Sequence, residues 1–260
     1  LDMFRKMELP YDWHKPLMEH AEKRGVHFLS SAADAESADL LVSLGVPAMK
    51  IASEDLINIP VVERIAASGL PTLLSTGMAS EEEISNALHI FNRHGNTDVV
   101  VMHCTSLYPT PQASCNINRV EALRRRYGVM VGFSDHTKGW MAAALAVAAG
   151  ACVLEKHFTL DCALPGPDHG MSTPPEEFKE MVTRIRRAEE YMGKSSVEYD
   201  SGEETMRVQF RRSIVAARDL EEGERISLGL LAYKRPGGGI NPLKAEHLVG
   251  KQVRRRIQAN

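Results

Sequence analysis

Two histidines, His136 and His157, each follow a short apolar run. Val129–Phe133 leads into Ser134-Asp135-His136-Thr137, and Ala151–Leu154 leads into Glu155-Lys156-His157-Phe158-Thr159. The interval between them holds one strand, one helix and two loops. In a parallel barrel such an interval puts both imidazoles at the same end of neighbouring strands, within reach of one metal ion. A single histidine near a strand end is more often a hydrogen-bonded structural residue. Two of them one repeat apart, each beside acid and hydroxyl groups, favour metal-assisted chemistry instead.

The elements that must carry these residues recur along the chain. Apolar runs at Val26–Leu29, Pro47–Ile51, Thr72–Leu74, Val99–Met102, Val129–Phe133 and Ala151–Leu154 read as strands. Helix-type stretches cover 12–24, 34–44, 57–68, 80–94, 116–126, 137–149 and 174–193. Ser80-Glu81-Glu82-Glu83 has the form of a capping box with acids in the first turn. This alternation predicts a parallel α/β fold. Polar side chains recur where the strands should end: Ser30 and Ser31, Ser53, Ser75 and Thr76, His103 and Thr105, His136, His157. Many such hydroxyls simply cap the next helix. A doubly wound sheet would gather only some of them in one crevice, whereas a barrel gathers all around a single mouth. The beat therefore predicts a (β/α)8 barrel. Six strands are visible where eight are needed, so two βα units are expected to be missing on the amino-terminal side.

The chain has 260 residues, 43% of them hydrophobic, enough for a large core. A net charge of -3 gives no electrostatic footprint for nucleic acid. No apolar run is long enough to span a membrane, and the start, Leu1–Lys6, lacks a signal-peptide pattern. Cys104, Cys115, Cys152 and Cys162 have no CxxC spacing, which predicts buried, reduced thiols in a cytoplasmic protein. The predicted organisation is a barrel domain over 1–193, a polar linker over 194–209 and a small domain over 210–260. The last carries β-type runs at Ser213–Ala217 and Leu230–Tyr233 and the Gly-rich Arg235-Pro236-Gly237-Gly238-Gly239 loop.

Several segments together match one pattern: Lys50-Ile51-Ala52-Ser53, Ser75-Thr76-Gly77-Met78, His103-Cys104-Thr105-Ser106-Leu107-Tyr108-Pro109 and Gly132-Phe133-Ser134-Asp135-His136-Thr137. Glu155-Lys156-His157-Phe158-Thr159, Pro165-Gly166-Pro167-Asp168-His169 and Lys234-Arg235-Pro236-Gly237 continue it. In this order the chain resembles the N-acetylneuraminate (sialic acid) synthase family, which includes legionaminic and pseudaminic acid synthases. The resemblance implies a (β/α)8 barrel followed by a small SAF (antifreeze-like) domain. It implies condensation of phosphoenolpyruvate with N-acetylmannosamine or a related N-acylated amino sugar, with release of phosphate. It also implies a domain-swapped homodimer.

The resemblance assigns His136 and His157 to a divalent metal, Mn²⁺ or a similar ion, that polarises the sugar aldehyde. It assigns Lys50, Ser53, Ser75, Ser106 and Ser134 to phosphoenolpyruvate, with Ser31 nearby. Tyr108 and Asp168 match sugar-contacting positions, and Arg235 matches an arginine offered to the sugar N-acyl group. Each has a plainer reading: a helix cap or turn for the serines and Asp168, core packing for Tyr108, a solvated charge for Lys50 and Arg235. Glu155 and Lys156 flank a ligand and are candidates to support it. The family's Ala-Glu-Ile-Gly-type and Asn-His-Gly motifs, and a lysine from its second strand, do not occur in this sequence, so the chain alone is expected to be a poor catalyst. Two rival readings stay open here. One is a Schiff-base aldolase using Lys50 or Lys156; the other is a non-catalytic sugar-binding module.

Overall fold

Five strands form one parallel sheet whose spatial order follows the sequence. They are β1 (Met49–Ile51), β2 (Thr72–Ser75), β3 (Val99–Cys104), β4 (Met130–Asp135) and β5 (Val153–Lys156). All neighbours are parallel. The order never reverses, so the sheet lacks the switch point of a doubly wound fold and winds in one direction, as barrel strands do. This computed structural model describes residues 8–260; the reading of Leu1–Lys6 lies outside them.

Helices alternate with the strands: α1 (Tyr11–Lys23), α2 (Ala35–Leu44), α3 (Ile59–Ala67), α4 (Glu81–Arg93), α5 (Asn118–Tyr127), α6 (Met141–Ala148) and α7 (Pro175–Met192). Local chemistry sets their ends. Ser80 and Glu83 close a reciprocal capping box at α4, and Asp34 with Ser37 does the same at α2. Gly45 and Gly128 stop α2 and α5 in the left-handed conformation. The main core joins the buried faces of α2, α3 and α4 to β1–β3 through Leu41, Ile51, Ile65, Leu74, Phe91 and Val101. Phe133, Val131 and Val120 form a second cluster under α5 and α6.

Three expectations need correction. Val26–Leu29 is not a strand; the nearest pairing is an isolated bridge between Ser31 and Lys50. Val26 and Leu29 are exposed, so the run has no second face to bury, and an apolar run without neighbours does not hold extended structure. Five strands are therefore seen in this sheet, not six, and among the described residues the sheet is open. The cysteines divide: Cys104 and Cys115 are buried, but Cys152 and Cys162 are exposed, and all four are free thiols.

The chain divides after Gly193, and Lys194–Asn260 is a separate compact unit. Its segment 194–209 is not a plain linker. It contains a short 3₁₀ turn and most of α8 (Glu204–Phe210), where Arg207 lies over the Tyr199 ring at 3.6 Å. Polar composition hid this helix, which buries no apolar stripe. Strands β6 (Ser213–Ala216) and β7 (Leu231–Lys234) pair antiparallel over a small core of Ala216, Leu220 and Val253. No described helix is long and apolar enough to cross a membrane.

Candidate active site

The carboxyl ends of all five strands carry polar or polarisable side chains. In β1, Lys50 is 8% exposed; its ammonium donates to Ser75 Oγ at 2.9 Å and to the Ile51 carbonyl at 3.0 Å. Glu155 on β5 stands 3.5 Å from the same nitrogen and accepts a 2.6 Å hydrogen bond from Ser134 Oγ on β4. Lys50, Ser75, Glu155 and Ser134 thus form one connected polar floor. A buried ammonium persists only where such partners replace water.

Beside this floor, Ser53 Oγ accepts from the Gly77 amide at 3.0 Å. Gly77 follows β2 closely packed: a Cβ there would lie 2.2 Å from Ser106 Oγ, 2.7 Å from Ser53 Oγ and 3.0 Å from Cys104 Sγ. The missing side chain is what lets these two hydroxyls and the thiol converge. Cys104 Sγ in turn stands 3.9 Å from His136 Nδ1 and from Ser106 Oγ.

His136 and His157 each sit one residue beyond the end of their strands. Their ring centroids are 5.1 Å apart at an interplanar angle of 83°. His136 Nδ1 is 3.0 Å from the Thr105 carbonyl, which fixes that nitrogen as the proton-bearing donor and leaves Nε2 with its lone pair. His157 Nδ1 is 3.6 Å from Asp168 Oδ2. Tyr108 covers the pair, its ring 4.2 Å from that of His136 and 5.8 Å from that of His157.

A divalent ion fits this pair. Their ring centroids, 5.1 Å apart, are close enough for both imidazoles to hold one such ion. The Thr105 carbonyl engages His136 Nδ1, so Nε2 is the atom that ring would offer a metal, while Asp168 lies 3.6 Å from His157 Nδ1. No group of three or more His, Cys, Asp or Glu residues able to hold a metal occurs among the described residues. Two imidazoles suit an ion that keeps open positions for water and substrate oxygens, not a closed four-ligand zinc site.

The electrostatics follow from the packing. Burial works against protonation of His136, but its contacts with Cys104 and Thr105 outweigh burial and raise its pKa. Burial, then the neighbouring His136, lowers that of His157. Burial would raise the Cys104 thiol, yet its contacts with His136 and Ser53 bring it below the ordinary value. Burial and the surrounding negative groups push the Tyr108 phenol to about 12, so it remains a proton donor at neutral pH.

Not every expected residue joins this cluster. Ser31 is exposed at the sheet edge, tied only to the Lys50 backbone. His103, the other strand-end histidine, is buried against Phe133 and bonds the Cys115 carbonyl at 2.8 Å, so it is structural. Arg235 belongs to the second unit, exposed, with its guanidinium 5.8 Å from the Phe210 ring. Lys156 is no free amine: Asp135 and the Thr137 carbonyl engage its ammonium. Sequence reasoning missed Gly77, Cys104 and the Thr105 carbonyl. Only the position of Gly77 directly after a strand-end Ser-Thr hinted at close backbone approach.

With that geometry in view, the NeuB family model matches residues 1–197 and the SAF domain model matches residues 211–260. The chain belongs to the NeuB family. Among NeuB relatives, the N,N'-diacetyllegionaminic acid synthase of Campylobacter jejuni is 40% identical over 253 residues, covering 96% of this chain and 76% of that one. A pseudaminic acid synthase of the same species is 35% identical over 257 residues, covering 99% and 75%. The crystal structure of N-acetylneuraminic acid synthetase from Leptospira borgpetersenii superposes with a TM-score of 0.76 at 33% identity, covering 79% of this chain and 72% of that one. This NeuB chain therefore spans about three-quarters of the length of these relatives.

Proposed function

We propose that this chain is a nonulosonic acid synthase that condenses phosphoenolpyruvate with an N-acetylated amino sugar such as N-acetylmannosamine and releases phosphate. The observation that carries the reading is the approach of His136 and His157 to 5.1 Å beside a lysine–hydroxyl floor. Family membership and the named synthases among the relatives support it.

Phosphoenolpyruvate is small and highly anionic. Lys50 supplies a charge already oriented by Ser75 and Glu155, so little side-chain entropy remains to be lost on binding. The Ser53, Ser75, Ser106 and Ser134 hydroxyls add donors without bulk, and Gly77 keeps the floor open. Bound here, the enol carbon C3 is held toward the sugar aldehyde. A Mn²⁺-type ion on His136 and His157 would supply Lewis-acid polarisation of that aldehyde. Tyr108 and Asp168 flank the histidines and are placed to orient the sugar, the phenol as a donor and the carboxylate as an acceptor of a hydroxyl. Carbon–carbon bond formation turns the aldehyde oxygen into a hydroxyl; water adds at C2 and the phosphate leaves. The same reading assigns Arg235 to the sugar's N-acyl group within a domain-swapped homodimer on a complete eight-stranded barrel.

The test is calorimetric titration with phosphoenolpyruvate in the presence and absence of Mn²⁺, followed by phosphate release on adding N-acetylmannosamine or a diacetamido sugar. Mn²⁺-dependent phosphoenolpyruvate binding is expected, with only weak sugar-dependent release, because the Ala-Glu-Ile-Gly-type and Asn-His-Gly motifs do not occur in this sequence. Borohydride trapping of a covalent adduct, or tight phosphoenolpyruvate binding indifferent to chelator, would overturn the reading.

A further inference from the structure

Both histidines lie just past the hydrogen-bonded ladder of their strands. The β4–β5 register ends at the pair Asp135 and Lys156, so no β4–β5 ladder bond holds residue 136 or 157. Something else must set the spacing of the two rings. Side chains alternate along a strand. Ser134 and Glu155, bonded to each other, share the face toward the site with His136 and His157, so Asp135 and Lys156 point to the opposite face. There they meet, with Lys156 Nζ 2.8 Å from Asp135 Oδ2 and side chains only 4% and 1% exposed. The pair also grips the backbone beyond the ladder. Asp135 Oδ1 accepts from the Thr137 amide at 2.8 Å, and Lys156 donates to the Thr137 carbonyl. The His136 carbonyl accepts from the Thr110 amide at 2.9 Å, and the His157 carbonyl from the Thr173 amide at 2.9 Å.

We infer that the buried Asp135–Lys156 ion pair is a positioning pair for the metal site: it locks the turn after β4 to β5 and so sets the distance between the His136 and His157 rings. The inference rests on the metal-binding reading above. Neither residue is hydrogen-bonded to the imidazoles; the Lys156 charge acts on His157 through space, and the geometric part of the pair's effect passes through the Thr137 backbone. A buried pair like this is weak evidence for stability, since apolar replacements of similar volume often do as well. Its value here is geometric: one ammonium spans two strands, and one carboxylate holds both that ammonium and an amide of the ligand's own turn.

The experiment titrates the full chain with Mn²⁺ alone, reading free Mn²⁺ by electron paramagnetic resonance, alongside a thermal melt. The doubly substituted D135N/K156M variant removes both charges while keeping volume and the Thr137 amide acceptor. It is expected to stay folded and to bind Mn²⁺ on the order of 10–100-fold more weakly. K156R keeps the charge but spreads its donors over a planar fork, and is expected to weaken binding several-fold with little change in melting. R126A, which breaks the Arg126–Glu81 pair elsewhere, should leave Mn²⁺ binding unchanged. A folded D135N/K156M or K156R protein that binds Mn²⁺ as tightly as the parent overturns the inference while leaving the metal site intact. A parent chain that does not bind Mn²⁺ overturns the metal reading, and this inference with it.

Discussion

Replacing Gly77 by alanine adds one methyl group where three side chains already converge. Its Cβ would meet Ser106 Oγ at 2.2 Å, Ser53 Oγ at 2.7 Å and Cys104 Sγ at 3.0 Å. Gly77 is not among the glycines with positive φ, so backbone strain does not enter and the effect is steric. Ser106 can rotate away, but Ser53 is held by the Gly77 amide itself. Overpacking of this kind costs about 1–3 kcal/mol, which lowers the melting temperature by roughly 2–12 °C for a domain of this size. The same displacement moves two hydroxyls assigned to phosphoenolpyruvate. Denaturant unfolding and phosphoenolpyruvate calorimetry on G77A should therefore both show losses. G77A/S106A removes the nearest clashing atom and should regain at least half of the lost stability without regaining ligand affinity, a coupling that a double-mutant cycle isolates. A G77A protein with stability within about 0.5 kcal/mol of the parent and unaltered ligand binding would refute the packing argument.

Three further outcomes are expected. H136A should abolish Mn²⁺ binding by paramagnetic resonance while far-ultraviolet circular dichroism stays unchanged; retained binding would count against the two-histidine site. K50M should weaken phosphoenolpyruvate binding by at least tenfold in calorimetry, because it removes the oriented ammonium beside Ser75 and Glu155. D34A should cost about 1 kcal/mol near neutral pH through loss of the α2 cap. Hydrogen bonds from the Ser37 backbone and side chain lower the Asp34 pKa below 3.8, so the charge contributes stability above the unfolded value. The difference between parent and D34A should shrink as pH falls through that lowered pKa; a constant difference across chemical unfolding at pH 2–7 would contradict the sign.

The alternation of apolar runs and helices was legible because β2, β3 and β4 have a strand neighbour on each edge and bury most of their residues, so their pattern survives tertiary packing. Val26–Leu29 misled because propensity alone cannot supply the missing pairing partner. The helix at Glu204–Phe210 was hidden for the opposite reason: it buries no residue, so no hydrophobic period marks it. At the site, Lys50, Ser75, Ser134 and the histidines were visible because the βα beat delivers them to one rim. Gly77, Cys104 and the Thr105 carbonyl were not, because their part depends on absent bulk, a thiol between partners and a main-chain oxygen, none of which has a residue-type signature. Lys156 was legible as a neighbour of a ligand, but strand alternation turns it away from the rings, toward Asp135.

The reactive groups sit at one rim of the sheet, while the apolar middles of β1 to β4 hold the interior. Loops such as the one bearing Asp168 can then be exchanged or lengthened without touching the load-carrying strands. A laboratory search for altered sugar preference should concentrate its mutations at the exposed loop positions 107–109, 111–113 and 160–167, sparing Thr105, Thr110 and Thr173, whose backbones hold the histidines.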